Sequence, residues 1–198
     1  MIRPVTGSGM KRMALLNDLS CFGKCSLSVA MPILSSYGVE TVPLPTAILS
    51  THTADGFGSY VMRDMTDEMK AFAAHWRQLQ SKFDGICTGF FGSVEQMHFA
   101  KDFLCDFAGE DTIVVVDPVL GDNGALYGCF TEEYVQAMRA LCESAQLITP
   151  HRTEAALLAG RGMDAPIETP LNALTVAHVL ITGVQRGEEI GYCARLNG

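Results

Sequence analysis

The chain has 198 residues, 48% of them hydrophobic and 18% charged, with a formal net charge of −8 at neutral pH. That is enough for one α/β domain with a sizeable core, and no apolar run reaches the roughly 18–20 residues of a membrane span. The acidic balance argues against nucleic acid as a partner, because phosphate backbones are held by clustered Lys and Arg; it leaves room for a nucleotide, whose phosphates backbone N–H groups and a cation can bind.

Residues 1–10 read as a leader outside the fold, and residues 11–198 as a single domain. The apolar stretch 13–16 is far too short for a signal peptide. Seven cysteines, Cys21, Cys25, Cys87, Cys105, Cys129, Cys142 and Cys193, form no paired metal-type spacing. An odd count without a secretory signal reads as reduced thiols in a cytoplasm.

In chain order, residues 13–17 (MALLN) are a first strand. Residues 25–37 are helical, with Leu27, Ala30, Leu34 and Tyr37 at helical spacing, Gly38 as terminator and Pro32 expected to kink the run. A second strand, 39–44, runs into Pro43 and Pro45. Residues 65–80 form a helix whose Met65, Met69, Phe72, Trp76 and Leu79 make one apolar stripe. A short strand follows at 86–88, then a helix capped by Ser93 with Gln96 at the capping-box position and continuing to Phe107. Residues 112–116 (TIVVV) read as a strand buried on both faces. Thr131 opens a helix with Glu132 and Glu133 in its first turn, which suits the helix dipole. Residues 146–149 are a strand, and an Ala/Leu-rich helix from Thr153 closes at Gly160. Residues 161–172 read as loop, 176–182 as a strand, 185–189 as a polar turn and 190–196 as a last strand. This alternation predicts a doubly wound, mostly parallel sheet flanked by helices.

In such sheets ligands bind beyond the carboxyl ends of the strands, and glycine and polar residues recur there. The segments are Asp18 to Gly23, Pro45-Thr46 followed by Ser50-Thr-His52-Thr53, Gly89-Phe90-Phe91-Gly92, Asp117 to Gly124, Pro150 to Glu154, and Thr182-Gly183. Asp117, Asp122 and Glu154 could hold Mg²⁺ at a phosphate chain, or Asp117 and Asp122 could simply accept turn hydrogen bonds. Thr182-Gly183 offers a hydroxyl and an unobstructed N–H to a phosphate oxygen. Phe22, Phe90 and Phe91 could face a flat heteroaromatic ring or cover the core. Neither G-x-x-x-x-G-K-[ST] nor G-x-G-x-x-G occurs, which excludes those two phosphate-binding motifs.

The segments DLSCFGKCSLSVAMPILSSYGVE, LPTAILSTHT, FDGICTGFFGS, VVDPVLGDNGALY and ITPHRTEAALLAG, in this order, resemble bacterial pyridoxal/pyridoxamine kinases of the ribokinase superfamily. The resemblance runs from about Met13 to the end. It implies a ribokinase-like fold and ATP-dependent phosphorylation of the 5′-hydroxymethyl group of pyridoxal, pyridoxamine or pyridoxine, with Mg²⁺, a monovalent cation and a homodimer. By motif position it assigns Asp18, His52, Thr53 and Phe90 to the substrate. It assigns Asp122, Tyr127, His151, Thr182 and Gly183 to the nucleotide, and Asp117, Asp122, Thr149 and Glu154 to the cations. His151 stands where the family usually has asparagine. The family's catalytic Gly-x-Gly-Asp segment is expected beyond Gly198, so the resemblance gives no catalytic base here and implies little or no turnover by this chain alone. Two alternatives share these residues: a hydroxymethylpyrimidine kinase of the same superfamily, and a non-catalytic vitamer- or nucleotide-binding module.

Overall fold

A computed structural model describes residues 9–53 and 56–196; most of the expected leader, residues 1–8, lies outside the described residues. The chain divides into two compact units, Met1–Ile113 and Val114–Gly198. Both are α/β, with mostly parallel strands and flanking helices.

The first unit contains β1 (Arg12–Phe22), α1 (Leu27–Ser36), β2 (Glu40–Thr51), β3 (Met62–Asp64), α2 (Thr66–Gln78), β4 (Gly85–Thr88) and α3 (Val94–Phe107). Its strand order is β4-β1-β2-β3, with β1 parallel to both β2 and β4, and β3 antiparallel at the edge. β1 is twice the length expected from the apolar run. It continues through Asp18-Leu-Ser-Cys-Phe22, so Asp18 lies inside the strand rather than in a loop after it. The ladder tolerates this because the register slips between the Asn17/Pro45 and Leu19/Ile48 pairs, giving β2 one extra residue opposite Asp18.

β2 likewise runs straight through Pro43 and Pro45. Glu40 N–H bonds to the carbonyl of Lys11, the residue just before β1, so by alternation the prolines' missing donors face the other way. On that side β3 pairs only with Ala47, Ile48 and Leu49, and no ladder bond is lost. α1 passes through Pro32 without a break, but of its expected apolar stripe only Leu27 is buried. In α2 the buried residues are Met69 and Ala73, while Phe72 is exposed. The core is built from Ala14 and Leu16 of β1, Leu44 and Ala47 of β2, Ile86 of β4 and Met97, Ala100 and Phe103 of α3, all at most 1% exposed. Trp76, Phe83, Phe103 and Phe107 pack edge-on and stacked around them. Burial of each of the leucine, isoleucine, methionine and phenylalanine side chains among them contributes about 1.5–3 kcal/mol.

Ser93 caps α3 as expected, accepting from Gln96 N–H. The Gln96 side chain does not return to Ser93: its Oε1 accepts from Gly92 N–H at 2.8 Å. Its amide nitrogen reaches the Thr46 carbonyl at 2.9 Å, Thr66 Oγ1 at 3.0 Å and Asp64 Oδ2 at 3.1 Å. One fully buried amide thereby fastens α3 to β2, to β3 and to the start of α2.

The second unit contains β5 (Ile113–Val116), which starts at the boundary, then β6 (Gly121–Asp122), β7 (Ala125–Leu126), α4 (Glu132–Cys142) and β8 (Leu147–Ile148). It ends with α5 (Arg152–Ala159), α6 (Glu168–Ala173), β9 (His178–Arg186) and β10 (Glu189–Leu196). The order is β5-β8-β9-β10, parallel except for the terminal β9–β10 hairpin. In β5 only Val114 and Val116 are buried and Ile113 is exposed, so the strand is not covered on both faces along its length. Thr131 caps α4, as its sequence signature predicts. The segment 161–172 is not all loop: α6 forms there with Pro170 in its first turn, where a missing N–H breaks no internal bond. β9 extends to Arg186, which puts Gly183 inside the strand with φ +67°.

Replacing Gln96 with leucine keeps the side chain's approximate volume but removes every bond it makes. We expect Gln96→Leu to lower stability by about 1–3 kcal/mol, the range for stranding a buried polar group, read as a shifted urea midpoint. An unchanged midpoint would show that the amide is not a fastening.

Candidate active site

In the first unit, Asp18 lies inside β1, His52 and Thr53 follow β2, and Phe90 follows β4. Asp18 is buried, and Ser20 Oγ donates to its Oδ2 at 3.0 Å. The preceding Asn17 turns its Oδ1 to accept both Asp18 N–H and Phe90 N–H, each at 2.9 Å. Asp18 and Phe90 are thereby tied to one atom. Thr46, fully buried in the widened stretch of β2, donates its hydroxyl to the Phe90 carbonyl at 2.7 Å. Gly89 must lack a side chain, because an added Cβ would fall on the Asn17 amide.

His52 and Thr53 lie just past β2, level with the end of β1. His52 N–H donates to the Phe22 carbonyl at 2.7 Å. Its ring stands 5.8 Å from that of Phe57, which in turn meets Phe22 at 6.1 Å. Gly23, at φ +84°, lets this group close up, since a Cβ there would come within 2.9 Å of Phe57 and 3.0 Å of His52. Thr53 is exposed beside them. The unit therefore presents two groupings, Asp18 with Phe90 and His52 with Phe22 and Phe57. Thr46 stood among the residues following the expected second strand, but Phe57 and Asn17 had no sequence signal as site residues, because the contacts that define them are made with other segments of the chain.

In the second unit, Asp117 follows β5 and Thr149 follows β8, and the Thr149 hydroxyl donates to Asp117 Oδ1 at 3.2 Å. Burial raises the Asp117 pKa above the usual carboxylate value, partly opposed by that bond. Glu154 lies in the first turn of α5 and is buried. Its Oε2 accepts from His151 N–H at 2.8 Å and its Oε1 from Leu120 N–H at 3.0 Å. These bonds join the start of α5 to the loop after β5. Burial pushes the Glu154 carboxyl up to about 7; the His151 and Leu120 N–H groups pull it down, and the Asp117 charge adds to the rise.

Asp122 ends β6, at a tight hairpin whose Asn123 and Gly124 both have positive φ, as such a two-residue turn requires. Its Oδ1 accepts from Asn123 N–H at 2.7 Å and stands 3.7 Å from His151 Nδ1. Gly124 N–H donates to Thr153 Oγ1 at 3.0 Å, so the hairpin is anchored to α5. His151 caps α5 through Nδ1 and lays its ring over Gly183, where a Cβ would collide with Nε2. Thr182 N–H bonds to the Pro150 carbonyl at 2.9 Å. Asp117, Thr149, Glu154, His151, Asp122, Thr182 and Gly183 thus interlock through contacts within this unit. Tyr127 is exposed just past β7, its ring 6.1 Å from Phe130.

Among the described residues no three His, Cys, Asp or Glu side chains form a cation cage. Each Glu154 oxygen already takes a backbone N–H. The set fits Mg²⁺, which keeps several waters and accepts one or two carboxylates, better than it fits a metal that demands a full protein shell.

A folded-state pKa raised from 4.5 to about 7 for Glu154 means that the folded chain binds more protons than the unfolded chain across that interval. The stability linked to the protonated carboxyl is complete below 4.5 and is lost as pH rises through about 7; Asp117 acts in the same direction. In metal-free buffer the urea midpoint should fall between pH 5 and about 7.5, and Glu154→Gln should lessen the slope. A slope unchanged by Glu154→Gln would show that this carboxyl does not titrate there.

No protein-family model matches the chain. A Bacteroides thetaiotaomicron protein assigned as a phosphomethylpyrimidine kinase is 39% identical, with a TM-score of 0.91 over 96% of this chain and 68% of that one. Its orthorhombic crystal form was solved with pyridoxal. The pyridoxal kinase of Lactobacillus plantarum is 38% identical, with a TM-score of 0.85 over 95% of this chain and 74% of its own. A pyridoxal kinase of Leifsonia xyli is 28% identical over 177 residues, 83% of this chain and 61% of that protein. The chain spans 47–61% of the length of the curated relatives it matches. Identity near two residues in five, spread along nearly the whole chain and on a shared backbone, places it in the pyridoxal kinase family of the ribokinase superfamily.

Proposed function

We propose that the first unit binds a B6 vitamer, the second binds Mg·ATP, and the protein serves the transfer of the γ-phosphoryl group to the vitamer's 5′-hydroxymethyl oxygen. The observation that carries this reading is the division of chemistry between the units. The first carries a buried carboxylate inside β1, a pinned aromatic residue after β4 and a His–Phe–Phe group near the end of β1. The second carries three carboxylates, two threonine hydroxyls and a glycine inside a strand.

In the first unit Asp18 is an acceptor with no exposure to spare, suited to a ring N–H or hydroxyl, and Phe90 supplies a face for the ring. His52, with Thr53 beside it, would meet the substituents of the ring. In the second unit Thr182, Gly183 and His151 would meet phosphate oxygens, and Tyr127 would lie against the nucleotide. Asp117 and Asp122 would hold Mg²⁺, with Glu154 acting through its waters and Thr149 serving a monovalent cation. The metal would supply neutralisation of the charge on the phosphate chain. What the chain's own residues contribute is binding, alignment and exclusion of alternative poses, the effects on which phosphoryl transfer chiefly depends. The family resemblance further suggests a homodimer working without nucleic acid. Among the described residues no helix is long and apolar enough to cross a membrane.

A second reading, phosphorylation of hydroxymethylpyrimidine, is favoured by the likeness to the Bacteroides protein. The two alcohols can be separated by calorimetric titration of the chain. We expect saturable pyridoxal binding that weakens at least tenfold in Asp18→Ala, and weaker binding of hydroxymethylpyrimidine. Tighter binding of the pyrimidine would select the second reading, and binding of neither would remove both.

A further inference from the structure

We propose that Asn17 and Thr46 are positioning residues for the vitamer: together they clamp the Phe90 backbone and hold its ring in register with Asp18 before any ligand arrives. The inference rests on the vitamer reading of the first unit.

Phe90 lies in the loop between β4 and α3, beyond the β1–β4 ladder. Its N–H and its C=O are each taken by a side chain from a different strand, the first by Asn17 of β1 and the second by Thr46 of β2. The oxygen that holds Phe90 N–H also holds Asp18 N–H, so one atom sets the spacing between the two residues assigned to the ring. The clamp is itself held. The Thr46 carbonyl accepts from Met65 N–H and from the Gln96 amide, and Gly89 leaves the Asn17 amide its space. The next residue, Phe91, is fully buried and anchors the loop from below.

The extra residue in β2 opposite Asp18 belongs to the same device. The two residues it sets there are Thr46 and Ala47, both fully buried, and Thr46 turns its hydroxyl to the Phe90 carbonyl. A regular ladder would put a single residue opposite Asp18. Ligand affinity benefits because a loop fixed beforehand need not be ordered on binding.

The test compares Thr46→Val, which keeps shape and loses the hydroxyl, with Thr46→Ser, which keeps the hydroxyl, and adds Asn17→Ala. Pyridoxal affinity, ADP affinity and amide exchange at Phe90 in the ligand-free chain are measured for each. We expect Thr46→Val and Asn17→Ala to speed Phe90 exchange and weaken pyridoxal about five- to tenfold, the loss of one hydrogen bond's worth of alignment. Thr46→Ser should stay within about twofold of the parent chain, and ADP should bind all four alike. Faster exchange with undiminished pyridoxal affinity would overturn the positioning role and leave a purely structural clamp. Absence of pyridoxal binding in the parent chain would instead overturn the vitamer reading, and the proposal with it.

Discussion

A strand that leaves its sheet strands the N–H and C=O groups of the residues that follow, and buried ones must find partners. That constraint organises both units here. At the end of β4 the Phe90 peptide is taken by Asn17 and Thr46. After β5 the Leu120 N–H is taken by Glu154, which also takes the N–H of His151. The Gly124 N–H of the β6–β7 hairpin is taken by Thr153. Apart from the Glu154–His151 bond within the α5 cap, each side chain comes from another element, so satisfying a loop also fixes its position. Loops fixed in this way can hold functional groups without help from a ligand.

The same constraint accounts for the electrostatics of the second unit. Glu154 is drawn inside because two backbone donors need it, and burial then raises its pKa toward neutrality. Asp117 is shifted in the same direction by its own burial. A carboxyl whose charged form is disfavoured by burial would be relieved by a nearby cation. Structural duty and a readiness to respond to charge are therefore carried by one residue.

Much of the fold was legible because its signals are local. Ser93 and Thr131 announce their helices through bonds spanning three residues, and Gly160 closes α5 through its own backbone angle. The alternation of strands and helices needs only apolar period. What escaped was set by partners far away in sequence. Asp18 stays inside β1 because β2, not β1, carries the extra residue. β3 is three exposed residues with no pattern of their own, and it exists because β2 has a free edge there. α6 is short and contains a proline, so composition favoured a loop. Of the candidate site, the carboxylates and glycines were visible as types recurring after strands. Thr46 was visible by its place after a strand, but not its bond to Phe90; Asn17 and Phe57 were not visible, because nothing in an isolated asparagine or phenylalanine says that another loop will lie against it.

If the first unit holds the vitamer and the second the nucleotide, as proposed, each should bind while the other is present. Pyridoxal titrated into the chain already saturated with Mg²⁺ and a non-hydrolysable ATP analogue should then bind one-to-one, with the analogue retained. Displacement of either ligand by the other, or uptake of only one, would contradict that proposal.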